Sequence, residues 1–153
     1  MAAAPDTPRT ISSTSRVEPE RIATLVDHDV FGDGRYVLYW MQASQRAEHN
    51  PALELAIQRA NEHDVPVVVA VAVVPEYPEA AARHFAFMLE GLGRTLPAIE
   101  RRGARACLRV GDPVDVIAEL AADASEVVLD RGYLRHQRTW YDQLASQIER
   151  RVT

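Results

Sequence analysis

The sequence predicts an α/β fold: a parallel sheet of four to five strands with helices on both faces. Three observations carry this. Short apolar runs of β-formers alternate along the chain with amphipathic helical stretches, and serial β–α units close as a parallel sheet with right-handed crossovers. The run 67–74, Val-Val-Val-Ala-Val-Ala-Val-Val, is apolar at every position. A strand with one wet face would alternate, so this one needs cover on both faces. Finally, 153 residues, 47% hydrophobic and 25% charged, suffice for one globular domain with its own core.

Each element has its own justification. Residues 1–16 are rich in Ala, Pro, Ser and Thr without periodicity and read as a disordered tail, leaving 17–153 as the domain. In 17–31, Ile22, Leu25 and Val26 fall at helical spacing after a Pro19 start. Gly32-Asp33-Gly34 is a turn that delivers the chain into a first strand, 36–41. A polar stretch, 42–49, leads to a helix capped by Asn50 with Pro51 at its first position and Leu53, Ala56, Ile57 and Ala60 on one face. The second strand is 67–74. The second helix covers 79–102, and Pro97 inside it should kink or divide it. Residues 104–110 form a third strand, with Cys107 as a small core residue. Asp112 and Pro113 cap and open a third helix; 126–130 is a fourth strand; a last helix spans 134–150 with Trp140, Leu144 and Ile148 on one stripe.

Composition removes several functions. All 17 basic residues are arginine and the formal net charge is −5, so the chain is no general nucleic-acid coat, although a local arginine patch is allowed. A single cysteine excludes a disulfide framework and a multi-cysteine zinc site. The five histidines lack ligand spacing, and neither a phosphate-loop nor a Gly-x-Ser-x-Gly motif occurs. No apolar run reaches the ~18 residues of a membrane helix, and residues 1–15 hold no secretory apolar region, so a cytoplasmic location is expected.

In open parallel sheets ligands bind beyond the carboxyl ends of the strands. Those ends are 41–50, 74–79, 110–113 and 130–138. In the first, Arg46 and the amides could bind a heteroaromatic or anionic group, or Arg46 could pair with Glu48 while Asn50 only caps the helix. In the last, Arg131, Arg135 and Arg138 could clamp a phosphate or stack on a ring, or line a solvated helix face beside Asp130. The residues alone give a ligand-binding α/β domain with its ligand unassigned.

The string from Tyr36-Val37-Leu38-Tyr39-Trp40-Met41 through Gln42-Ala43-Ser44-Gln45-Arg46-Ala47-Glu48-His49-Asn50-Pro51 resembles the opening strand and helix of class II cyclobutane-pyrimidine-dimer photolyases. Pro75-Glu76-Tyr77-Pro78-Glu79, Arg83-His84-Phe85, Gly111-Asp112-Pro113 and the run from Asp130-Arg131-Gly132-Tyr133 to Arg138 extend the likeness over about residues 20–150. The resemblance implies a Rossmann-like antenna-binding domain of a light-driven DNA-repair flavoprotein. In that family FAD and the lesion sit in a larger C-terminal helical domain, so FAD and DNA are expected only there, and this domain alone should be catalytically incomplete. The expected chromophore is an 8-hydroxydeazaflavin, with a flavin second, lying across the first and fourth strand ends. Trp40, Met41 and Tyr133 would contact its ring; Arg46 and Arg131 would bond its oxygens; Asn50 and Asp130 would position them. The family's sheet has a fifth strand, expected to be missing here, which leaves the fourth strand with an unpaired edge and predicts self-association. A free-standing nucleotide-binding module of the universal-stress type is the alternative; it would need a glycine-rich phosphate loop that 130–133 does not offer.

Overall fold

The structure, a computed structural model, describes residues 11–13 and 15–153. Four strands, β1 (Tyr36–Trp40), β2 (Val67–Val73), β3 (Arg105–Val110) and β4 (Ala124–Leu129), alternate with four helices, α1 (Pro51–His63), α2 (Ala82–Arg101), α3 (Pro113–Ala121) and α4 (Arg135–Gln147). All strand pairs are parallel, in the order β3-β2-β1-β4. The expected α/β sheet is therefore the observed one.

Pleating sorts the core into two layers. Val37, Tyr39 and Met41 face α1 and α2, together with Val67, Val69 and Val71. Leu38 and Trp40 face α3 and α4, with Ala70 and Val127. β1 is the centre: Val37 through Trp40 are at most 1% exposed, which is why that run is apolar without alternation. Asn50 and Asp112 each accept backbone N–H bonds from the first turns of α1 and α3. Among the described residues no helix is long and apolar enough to cross a membrane.

Five expectations are corrected. Residues 17–31 are not a helix beyond the single 3-10 turn Pro19–Arg21; Val26 instead bridges Val152. β4 does not have an open outer edge. Val127 N donates to Arg151 O at 2.8 Å, Thr153 N to Val127 O at 2.9 Å and Leu129 N to Thr153 O at 2.8 Å, so 151–153 lie in a fifth-strand position. That edge is thus covered, and the outermost strand on the other side is β3. Cys107 is only partly buried because it sits on that strand. The tail assigned to 1–16 is attached from Ile11 on: Ile11 is 5% exposed, and Asn61 bonds both its N–H and its carbonyl. Residues 1–10 and 14 lie outside the described ones. Pro97 does not divide α2.

Candidate functional site

The order β3-β2-β1-β4 makes the gap between β1 and β4 the point where strand order reverses, the usual place for a ligand crevice. Here it is filled. The Asp130 carboxylate, just beyond β4, accepts from Gln42 N at 3.1 Å and Ser44 N at 2.6 Å, pinning the segment that leaves β1. The Tyr141 hydroxyl accepts from Gly132 N at 2.9 Å and lies 2.7 Å from Gln42 Oε1 and 3.0 Å from Asp130 O. Burial, foremost, pushes its pKa up to about 12, so it stays a neutral hydroxyl across the physiological range. Trp40 packs edge-on beneath it, ring centroids 5.8 Å apart.

Asn50 completes this plug. Its Oδ1 accepts from Leu53 N at 3.1 Å and from the Tyr39 hydroxyl at 3.3 Å, and its Nδ2 donates to Ser44 O at 2.9 Å and Arg46 O at 3.1 Å. One fully buried amide thus ties β1, the 42–49 segment and α1 together. Tyr39 itself is pushed far up in pKa by burial and then by the Asp130 charge.

With the switch point sealed, the open space lies on the β2 side. A cavity of about 320 Å³ sits beyond the ends of β1 and β2, floored by Met41, Gln42, Ala72 and Val74. Phe85 and Met88 of α2 form one wall, Gln137 and Trp140 of α4 another. Tyr77 closes the side: its hydroxyl is 2.7 Å from His136 Nε2, and Tyr77, His136 and Trp140 meet edge to face at 4.8 to 5.9 Å. Burial raises the Tyr77 pKa. His84 Nδ1 accepts from Ala81 N at 2.9 Å, which leaves the hydrogen on Nε2. Among the described residues lining the cavity there is no arginine. Flat and soft apolar surfaces around a few polar groups, with the exposed Glu79 carboxylate among the lining, suit a planar heterocycle more than a phosphate.

Of the seven expected site residues the structure brings only Met41 to this cavity. Trp40 is buried on the opposite face of the sheet. Asn50 and Asp130 are spent on the plug. Arg46 is exposed and bonds His49 O at 2.9 Å; Arg131 lies 5.8 Å from the ring of Tyr133, itself 81% exposed. The residues that sequence reasoning missed, Tyr77, Phe85, Gln137 and Trp140, had a partial signal. The strand-end rule names 74–79, but Phe85 and Trp140 read as ordinary core stripes.

A family model described as DNA photolyase matches residues 37–153. A deoxyribodipyrimidine photo-lyase of Methanothermobacter thermautotrophicus is 37% identical over 132 residues, covering 86% of this chain and 30% of that protein. The deoxyribodipyrimidine photo-lyase of Arabidopsis thaliana is 31% identical over 146 residues, covering 90% and 29%. This chain therefore spans about 30% of the length of these relatives. Among solved structures, a universal stress protein from Archaeoglobus fulgidus superposes with a TM-score of 0.52 at 20% identity, covering 76% of this chain and 95% of that one. At that identity the likeness concerns the fold alone.

Proposed function

The chain belongs to the DNA photolyase family, and from that premise we propose that it is the N-terminal domain of a class II photolyase that repairs cyclobutane pyrimidine dimers. Its own part is to seat an antenna chromophore, 8-hydroxydeazaflavin first and a flavin second. The observation that carries this reading is the apolar cavity of about 320 Å³ at the carboxyl ends of β1 and β2. Its size matches the lower range of small-molecule sites, and its walls are the kind that hold flat rings. Phe85, Met88 and Trp140 would hold the ring and keep water from it. When bound, such a group supplies absorption in the near-visible. Splitting of the dimer belongs in this proposal to a helical FAD-binding domain, which is the partner of this one and its route to DNA; these 153 residues alone are expected to leave dimers intact. Nothing favours a universal-stress reading: Gly132, the single glycine after β4, is buried against Tyr141 rather than open to a phosphate.

The test is a titration of the purified chain with 8-hydroxydeazaflavin and with riboflavin, followed by absorbance. Saturable binding is expected. Trp140→Ala and Phe85→Ala should each weaken it about tenfold or more, since a buried aromatic contributes roughly 1.5–3 kcal/mol. Arg46→Ala should leave it unchanged. Absence of saturable binding of both chromophores would overturn the proposal. Loss with Arg46→Ala alone would move the site to the shallow hollow between Arg46, Arg94 and Thr95.

A further inference from the structure

Gln137 is the third residue of α4, and its side chain reaches back to the start of the helix: Oε1 accepts from Leu134 N at 3.2 Å. That is half of a capping box. Only the amide oxygen can accept from an N–H, so this bond decides which end of the amide is which. The other end, Nε2 with its two hydrogens, has no hydrogen-bond partner among the described residues. Yet the side chain lines the cavity, and the residue is only 9% exposed. With its oxygen held by the helix start, the amide has its N–H₂ free to donate to a ligand in the cavity, and a ligand that covered this donor without an acceptor would leave it unpaired.

Its position is also enforced. A Cβ on Gly132 would run into Gln137 Oε1 and the Tyr141 hydroxyl, so glycine there is what lets the amide sit where it does. Tyr141 is in turn held by Gly132 N and the Asp130 carbonyl. The donor is therefore preorganised by the same plug that seals the switch point.

Building on the chromophore reading above, we infer that Gln137 is the specificity residue of this cavity, its Nε2 donating to a ring carbonyl of the ligand. The ligand class follows. It is a planar heterocycle that presents a neutral acceptor oxygen to α4, while any anionic tail stays outside, because the lining holds no arginine and the chain no lysine. A site that offers a buried donor discriminates against ring systems lacking the acceptor much more strongly than an apolar slot does.

Gln137→Glu separates this role from a structural one. Glutamate serves equally at the third position of a capping box and suits the helix dipole, so the Leu134 bond and the melting temperature should be kept. The N–H₂ is replaced by an oxygen that repels the ligand carbonyl. The experiment measures two neutral tricycles against both proteins: lumichrome, which carries ring carbonyls, and phenazine, which carries none. The wild type should prefer lumichrome by about tenfold or more, and Gln137→Glu should abolish that preference while binding phenazine as before. An unchanged preference in the variant overturns the role of Gln137 and leaves the cavity reading intact. Failure of the wild type to bind either ring overturns both.

Discussion

Glu126 sits inside the protein with 1% exposure, on the face of β4 that meets α1, and neither carboxylate oxygen has a hydrogen-bond partner among the described residues. Arg59 Nε is 3.6 Å away and His63 Nε2 3.8 Å. Burial raises its pKa; Arg59, His63 and Arg151 pull the other way without cancelling the effect, and Glu62 adds to it. A carboxyl whose folded pKa lies above its unfolded one binds its proton more tightly when folded. Its contribution to stability is then greatest in acid and is lost as pH rises through the raised folded value. Glu126→Gln removes the titration. The melting temperature of the wild type, relative to that of Glu126→Gln, should climb as pH falls from 8 towards 5; a difference that stays flat or runs the other way contradicts the assignment. Nothing in the sequence marked this residue, because a glutamate opening an apolar run reads as a strand end facing water. Asn50 was legible as a cap from its place before Pro51. Its bonds to Ser44, Arg46 and Tyr39 were not, since they depend on the path of 42–49.

Those bonds make α1 differ from α3, although both begin with a polar cap and a proline. The Asp112 carboxylate bonds Val114 N and Asp115 N in its own turn and, among the described residues, nothing else. Asp112→Ala should cost about 1 kcal/mol, the ordinary value of a cap. Asn50→Ala also leaves Ser44 O and Arg46 O without their donor and the Tyr39 hydroxyl without its acceptor, and should cost about 2–4 kcal/mol by urea denaturation. Equal losses in the two variants would reduce Asn50 to a cap. The helices and strands that could be read from sequence are those whose signals are local: caps, prolines, and the unbroken apolar run of β2. Two were misread because the deciding partner is remote or the penalty is relieved. Val26 pairs with Val152, a contact no local spacing reveals. Pro97 leaves the carbonyl of Gly93 without its helical donor, but both residues are exposed, so solvent can take it and α2 continues.

The whole molecule shows why the open cavity lies on the β2 side and not across the ends of the first and fourth strands. The strand-end rule named the right end of the sheet, but the Asp130, Gln42 and Tyr141 bonds that fill the switch point come from segments about 90 residues apart in sequence. The same strand order has a consequence for how the chain comes to be folded. β1 is the centre of the finished sheet, with Val37 beside Val67 on one flank and beside Glu126 on the other. During synthesis the earlier β–α units can assemble before residues 124–129 leave the ribosome. For that interval, several seconds at ordinary elongation rates, the central strand is an edge. Refolding repeats the order, because closing the long loop to β4 costs more entropy than closing the short one to β2. Pulse-labelled hydrogen exchange during refolding should therefore protect amides bonded between β1 and β2 before those bonded between β1 and β4; simultaneous protection would show that the sheet closes as one unit. The hazard falls on the nascent chain, and a ribosome stalled between Val110 and Ala124 would hold out a half-built sheet with its centre unpaired.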